Sequence, residues 1–105
     1  LGGSIGLATK ARAPHIATTG WDRDPAVRGR AAERGLADTI AETAEAAVAG
    51  ADLVILCVPV GAMGEAARAI APGLAPHAIV SDVGSSKAAV AAALAEALPN
   101  ATIIP

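Results

Sequence analysis

Runs of β-branched and aliphatic residues alternate with alanine-rich stretches along the chain, and this alternation predicts strands separated by helices. The clearest strand is predicted at residues 52–58, where apolar residues follow one another without polar alternation. Such a run is typical of a parallel strand that helices cover on both faces. The other predicted strands lie at residues 15–21, 36–40, 77–83 and 101–104.

The stretches between these strands carry the signals that begin and end helices. Asp24 followed by Pro25 is typical of an N-cap and a first helical position, and Gly35 is a typical C-terminal stop. Between Val90 and Leu98 an apolar residue recurs at every fourth position, which marks one buried helical face. Helices are therefore predicted at residues 2–13, 25–34, 43–49, 62–70 and 86–98.

Strands that alternate with helices favour right-handed crossovers and hence an α/β fold with a doubly wound parallel sheet. No repeat, linker or low-complexity tract divides the chain. The chain opens with Leu1 inside a glycine-rich stretch and stops at Pro105 just after an apolar run. We therefore expect a segment of a longer protein and an incomplete sheet, whose first strand precedes Leu1.

The composition of the chain argues against several classes of protein function. The 105 residues amount to 10.2 kDa, enough for one small domain, and no Phe or Tyr is present to anchor its core. The net charge of −2 argues against a nucleic-acid-binding surface. One cysteine and two histidines are too few for a disulfide framework or a zinc cluster, so no metal is expected. No signal peptide or membrane span is visible, and we expect a cytoplasmic protein without a membrane partner.

Two residues near the start suggest dinucleotide binding. Gly2 begins a predicted helix and fits the third glycine of a G-x-G-x-x-G loop, although a plain helix cap explains it as well. Asp22 follows a predicted strand twenty residues later, close to the spacing of the acid that binds a ribose 2′-hydroxyl. A carboxylate there repels a 2′-phosphate and favours NAD over NADP. The adjacent Arg23 leaves NADP possible, because a guanidinium binds phosphate or stacks on adenine.

A second candidate site follows the strand at residues 77–83, at the strand end where open α/β sheets bind ligands. Ser85 and Ser86 are both suited to cap the next helix, which leaves one hydroxyl for chemistry. Lys87 lies in the first helical turn, where the helix dipole disfavours a cation. It either offsets Asp82, faces an anionic substrate, or is simply exposed.

Other polar or unusual residues are expected to be structural. Cys57 lies in an apolar run and is expected in the core. His15 and His77 each begin a predicted strand, at the edge opposite the expected site, and are not expected to be catalytic. Met63 and Trp21 are expected to be packing residues.

Together these segments resemble the prephenate/arogenate (cyclohexadienyl) dehydrogenase family of tyrosine biosynthesis. The resemblance covers nearly the whole chain, and its most specific part is the D-x-G-S-x-K pattern that runs from Asp82 to Lys87. The segments are LGGSIGLATKA at 1–11, GWDRDP at 20–25, ADLVILCVPVG at 51–61, IVSDVGSSKAAV at 79–90 and LPNATIIP at 98–105.

The resemblance implies a Rossmann-like fold and a role for each matching residue. Residues 1–105 would be a partial dinucleotide-binding domain, followed by a helical dimerisation domain, in a parent protein that is a homodimer. The family's catalytic histidine would fall immediately after Pro105. Ser85 would be an active-site hydroxyl near the nicotinamide and the substrate, and Lys87 would contact the substrate. The cofactor would contact Leu1 and Gly2 at the pyrophosphate, Asp22 and Arg23 at the adenine ribose, and Cys57, Val58, Pro59 and Gly84 through the backbone.

The reaction implied is the oxidative decarboxylation of prephenate or arogenate, in which the cofactor accepts a hydride and carbon dioxide leaves. Two alternatives remain open from the residues alone. One is another β-hydroxyacid-type or imine reductase with the same fold. The other is a nucleotide-binding module without catalysis.

Overall fold

A computed structural model of the chain describes residues 15–58, 60–82 and 87–104. These residues form two compact units, divided in the sequence between Ala47 and Val48. The first unit contains β1 (Thr19–Gly20), α1 (Pro25–Glu33) and β2 (Thr39–Ile40), and α2 (Ala44–Val48) runs across the division. The second unit contains β3 (Leu53–Leu56), α3 (Met63–Ile70), β4 (Ile79–Asp82), α4 (Lys87–Ala97) and β5 (Thr102–Ile103), with 3-10 turns at Val60–Ala62 and Ala71–Gly73.

From residue 15 onward, the order of helices and strands is the predicted one, whereas the helix predicted at residues 2–13 lies outside the described residues. The strands of the first unit are shorter than predicted, because β1 and β2 pair in parallel through only two residue pairs. Just before both strands, side chains add two further cross-links. The Thr18 N–H donates to Asp38 Oδ2 and the Asp38 N–H donates to Thr18 Oγ1, each at 2.9 Å.

Helix α1 begins and ends where its capping residues predict. Asp24 is the N-cap, and its side chain accepts a hydrogen bond from the Ala26 N–H. At the other end Gly35 has a positive φ of 61°, a conformation that glycine adopts without steric cost. Its N–H donates to Ala32, and the Leu36 N–H donates to Ala31, which together make a Schellman motif.

The sheet of the second unit is parallel, with β4 between β3 and β5. Leu53 lies opposite Ile79 at the start of the β3–β4 ladder, and Leu56 lies opposite Asp82 at its end. Ile79 is also paired with Thr102 of β5. Because all strands run in one direction, the residues that follow β3 and β4 emerge at the same edge of the sheet.

One face of this sheet forms the core of the second unit. Val54 and Leu56 of β3 and Val80 of β4 are buried there, and the register places them on a common face. Helices α3 and α4 contact each other and bury their own apolar side chains over it. The core is built from small and aliphatic residues, and its helical members are Met63, Ala67, Ile70, Leu94 and Leu98.

The burial on both faces that the apolar run at residues 52–58 predicts is not found. Leu53 is 56% exposed and Ile55 is 38% exposed, whereas their neighbours in the strand are buried. Within the described part of the second unit β3 pairs only with β4, and α3 and α4 cover one face. The apolar run at residues 52–58 therefore predicts more burial of its side chains than is found in the second unit alone.

We expect the 105-residue chain on its own to be poorly folded. In the described sheets β1 pairs only with β2 and β3 only with β4, so each of these two strands has one edge that pairs with no described strand. Buried polar groups left unpaired cost about 1–3 kcal/mol each, against a total stability of about 5–15 kcal/mol.

Urea and thermal melts of the isolated chain should therefore be broad and poorly cooperative. A cooperative melt of the isolated chain would contradict this expectation.

Candidate functional site

The turn after β1 holds Asp22 in a defined conformation. The Asp22 Oδ1 accepts a hydrogen bond from the Asp24 N–H at 2.9 Å, and the Asp24 Oδ1 accepts one from the Ala26 N–H at 2.9 Å. These two successive side-chain turns connect β1 to the first turn of α1. The Asp22 side chain is exposed, and within the described residues its Oδ2 accepts no hydrogen bond. One carboxylate oxygen thus organises the turn and the other faces solvent.

Arg28 of α1 reaches back to the same turn. Its Nη1 donates a hydrogen bond to the backbone oxygen of Asp22 at 2.7 Å, the short distance typical of a charged donor. Arg28 is half-buried, whereas Arg23 in the turn and Arg30 farther along the helix are exposed. Sequence reasoning missed this contact, because residues six apart meet only through a particular side-chain rotamer and no periodic pattern signals it.

In the second unit, the parallel register brings the candidate residues of two strands to one edge of the sheet. Cys57 and Val58 directly follow β3, and Asp82 is the last residue of β4. Lys87 is the first residue of α4, as the capping pattern predicts. Asp82, the last described residue before Lys87, therefore lies at the same edge as Cys57, the edge at which open α/β sheets bind ligands.

Cys57 is exposed, so the prediction that it belongs to the core is wrong. The error arises because Cys57 continues the alternation of β3, which exposes Leu53 and Ile55 and buries Val54 and Leu56. Although the residue as a whole is exposed, partial burial of the thiol raises the pKa of Cys57 above its ordinary value. A thiol with a raised pKa is protonated at neutral pH, which argues against a nucleophilic role.

Asp82 is the one buried charged residue among those described, with 7% of its surface exposed. Its position opposite Leu56 directs it to the same face as the apolar core. A carboxylate is costly to bury and is kept in such a place only with polar compensation. Asp82 is the last residue of β4 and directly precedes residues 83–86.

The opposite edge of the same sheet carries the histidine that was not expected to be catalytic. The His77 Nε2 lies 2.7 Å from Asp52 Oδ1, and both residues precede their strands. The two side chains are 59% and 91% exposed, so their interaction adds little stability. His15 is also exposed and precedes β1 by several residues.

Met63 and Trp21, which are both predicted to be packing residues, differ in their burial. Met63 is fully buried at the start of α3. Trp21 is 37% exposed, so it does not belong to the buried core of the described structure. It stands beyond the end of the two-residue strand β1, where no strand alternation directs it inward.

A cavity of about 340 Å³ opens near this histidine edge rather than at the candidate site. It is lined by the segments that lead into β4 and β5, chiefly Leu74, Pro76, Leu98 and Asn100. It contains no charged side chain, so the chemistry-bearing residues and this cavity belong to different ends of the strands.

Several predicted site residues lie outside the described residues, and their roles stay predictions. Among the residues that are described, no helix is long and apolar enough to cross a membrane. The same residues contain no group of three or more His, Cys, Asp or Glu side chains placed to hold a metal ion. The predicted residues outside the described ranges are Leu1, Gly2, Pro59, Gly84 and Ser85.

The chain is similar to several known dehydrogenases. A cyclohexadienyl dehydrogenase from Zymomonas mobilis is 43% identical over the whole chain, which spans 36% of that protein. The structure of Synechocystis arogenate dehydrogenase superposes with a TM-score of 0.75 and 28% identity, over 89% of this chain and 33% of that one. The structure of Aquifex aeolicus prephenate dehydrogenase in complex with hydroxyphenyl propionate and NAD+ superposes with a TM-score of 0.79 and 25% identity, over 91% and 34%.

The chain thus spans about a third of the length of these relatives. The superpositions confirm the α/β, Rossmann-like fold class expected from the pattern of strands and helices. The family described as "Prephenate dehydrogenase, nucleotide-binding domain" matches residues 5–105. The chain belongs to this family, as the segments from Gly20 to Pro25 and from Asp82 to Lys87 predict.

Proposed function

We propose that this chain is the dinucleotide-binding part of a dehydrogenase that oxidatively decarboxylates prephenate or arogenate. Membership of the family supports the nucleotide-binding role. Because the chain spans about a third of its relatives, we propose that the complete activity belongs to a longer polypeptide. The resemblance implies that a helical dimerisation domain follows residue 105 and that the protein is a homodimer. We propose that it binds a small-molecule substrate and that it is located in the cytoplasm.

The observation that carries the proposal is the geometry of the Asp22 turn. One carboxylate oxygen is held by the Asp24 N–H, which fixes the side chain, and the other is presented to solvent just beyond the end of β1. A fixed, exposed carboxylate at a strand end fits the paired hydroxyls of an adenine ribose. The relative from Aquifex aeolicus was solved with NAD+, and we propose NAD as the cofactor of this chain also. Arg23, exposed in the same turn, makes NADP the alternative.

In the second unit the proposal assigns the nicotinamide half of the cofactor to the carboxyl edge of the sheet. The backbone of Cys57, Val58 and Pro59 follows β3 at this edge, and Gly84 follows β4, where the absence of a side chain permits a close approach. Leu1 and Gly2 are assigned to the pyrophosphate, because backbone N–H groups at a helix start bind anions.

Ser85 is the proposed catalytic hydroxyl of this chain. When bound, NAD accepts the hydride from the ring carbon that carries the hydroxyl group. Ser85 hydrogen-bonds the substrate's ring oxygen and so orients it towards the general base, the histidine expected just beyond residue 105. Asp82 anchors the start of the loop from its buried position, and Lys87, at the first position of α4, faces the anionic substrate.

The first test uses cofactor preference in the full-length polypeptide. We expect it to reduce NAD with prephenate or arogenate as substrate, and we expect Asp22→Ser to shift the ratio of kcat/KM for NAD and NADP towards NADP, because a neutral hydroxyl no longer repels the 2′-phosphate. The measurement is steady-state kinetics with both cofactors. An unchanged ratio would show that Asp22 does not face the ribose, and NAD binding without turnover on either substrate would favour a nucleotide-binding module.

The second test separates the two adjacent serines. Ser85→Ala should lower kcat while NAD affinity and melting temperature stay nearly constant, because it removes a hydrogen bond to the reacting oxygen. The loss should be smaller than the roughly 10²–10⁴-fold contribution of a general base. Ser86→Ala should instead lower stability by about 0.5–2 kcal/mol, because Ser86 is the proposed cap of α4.

Thermal melts and kinetics of both variants, prepared side by side, distinguish the roles. If Ser85→Ala lost stability and kept full turnover, the two assignments would be reversed.

A further inference from the structure

We propose that Arg28 is a positioning residue that sets cofactor preference by holding the Asp22 turn in its ribose-binding conformation. The inference rests on the proposed function, because it assumes that Asp22 receives the ribose. Arg28 lies outside the segments that the sequence pattern predicts to bind the cofactor. The basis of the inference is the hydrogen bond from the Arg28 Nη1 to the Asp22 backbone oxygen at 2.7 Å.

This hydrogen bond adds a third restraint to the turn. The Asp22 carboxylate accepts a hydrogen bond from the Asp24 N–H, and the Asp24 carboxylate accepts one from the Ala26 N–H. The contact from Arg28 holds the carbonyl oxygen of the peptide between Asp22 and Arg23. The turn that carries the Asp22 side chain is thus restrained through its backbone as well as through its side chains.

The burial of Arg28 agrees with a fixed side chain rather than a mobile surface cation. Arg28 is half-buried, although Asp22, Arg23 and Arg30 around it are exposed. A guanidinium offers five N–H donors in a rigid plane, so one donor can hold a carbonyl oxygen at a defined angle. Because the turn is ordered before the cofactor binds, the conformational entropy cost of ordering it does not weaken binding.

A different role for Arg28 would be simple attraction of the cofactor's phosphates. The two roles predict opposite changes in cofactor preference. A positioning residue acts through the Asp22 carboxylate, which discriminates against the 2′-phosphate, so its loss weakens NAD binding and lowers the preference for NAD. A general cation attracts the additional phosphate of NADP more strongly, so its loss raises that preference.

The chain offers a matched control in Arg30. It lies on the same helix, carries the same charge and is exposed, and within the described part of the chain its guanidinium makes no hydrogen bond or ion pair. Arg30→Ala therefore removes an equal charge close to the turn without touching Asp22. Arg28→Lys serves as the conservative variant, because it keeps the cation and a donor but loses the planar geometry.

The experiment measures NAD and NADP dissociation constants, kcat and melting temperature for these variants in the full-length polypeptide. Arg28→Ala should weaken NAD binding about tenfold, the size of one hydrogen bond from a charged donor. Arg28→Lys should lie between this variant and the wild type. The kcat at saturating NAD should be nearly unchanged, because Arg28 does not touch the reacting atoms. Arg30→Ala should change the NAD dissociation constant by no more than about twofold.

A double-mutant cycle decides whether Arg28 acts through Asp22. In an Asp22→Ser background, Arg28→Ala should have little further effect on NAD binding, because the carboxylate that it positions is gone. An Arg28→Ala effect of equal size in both backgrounds would overturn the inference and assign Arg28 a general structural role. If Arg28→Ala raised the preference for NAD, or if Arg30→Ala weakened NAD binding as much as Arg28→Ala, the inference would be wrong. Arg28 would then act only by attracting the cofactor's phosphates.

Failure of the inference is distinguishable from failure of the proposed function. If Asp22→Ser shifts cofactor preference and Arg28→Ala does not, the ribose assignment stands and the positioning role is wrong. If neither variant changes NAD binding while the wild type binds NAD, the ribose assignment is itself wrong, and the role of Arg28 falls with it.

Discussion

The parallel pairing of β3 with β4 is the constraint on which the second unit depends. Its register, Leu53 to Ile79 and Leu56 to Asp82, brings the ends of both strands to one edge. It also aligns Val54 with Val80, so that one face is continuously apolar and can accept the side chains of α3 and α4. A shift of one residue would turn these side chains to the opposite face and expose the core.

Among the described residues of the first unit, short polar contacts are numerous and Ala44 is the one buried residue. The strands of this unit contribute two residue pairs, and helix α1 has no fully buried residue. What fixes its turns is a chain of hydrogen bonds that starts at Asp22 and continues through Asp24 into the helix. Such contacts are individually worth about 0.5–1.5 kcal/mol, so they define local geometry more than overall stability. Such local order suits the role that we propose for Asp22.

Much of this architecture follows from sequence, because its signals are local. The capping of α1 by Asp24, its end at Gly35 and the order of strands and helices depend on neighbouring residues and were predictable. The exposure of Leu53, Cys57 and Trp21 was not, because a residue's burial depends on which elements lie against it and not on its own apolar character. The contact between Arg28 and Asp22 was not predictable either, since it depends on one long side chain folding back over its own helix terminus.

The central proposal is that the Asp22 turn receives the adenine ribose of the dinucleotide. Hydrogen–deuterium exchange of the full-length polypeptide, with and without NAD, tests it most directly, because it reports on each segment separately. The account predicts slower exchange on NAD binding in peptides that cover residues 20–28, 57–61 and 83–88, with little change at the His77 end of the strands. Protection confined to the His77 end or to the cavity near Leu98, with none in the Asp22 turn, would contradict it.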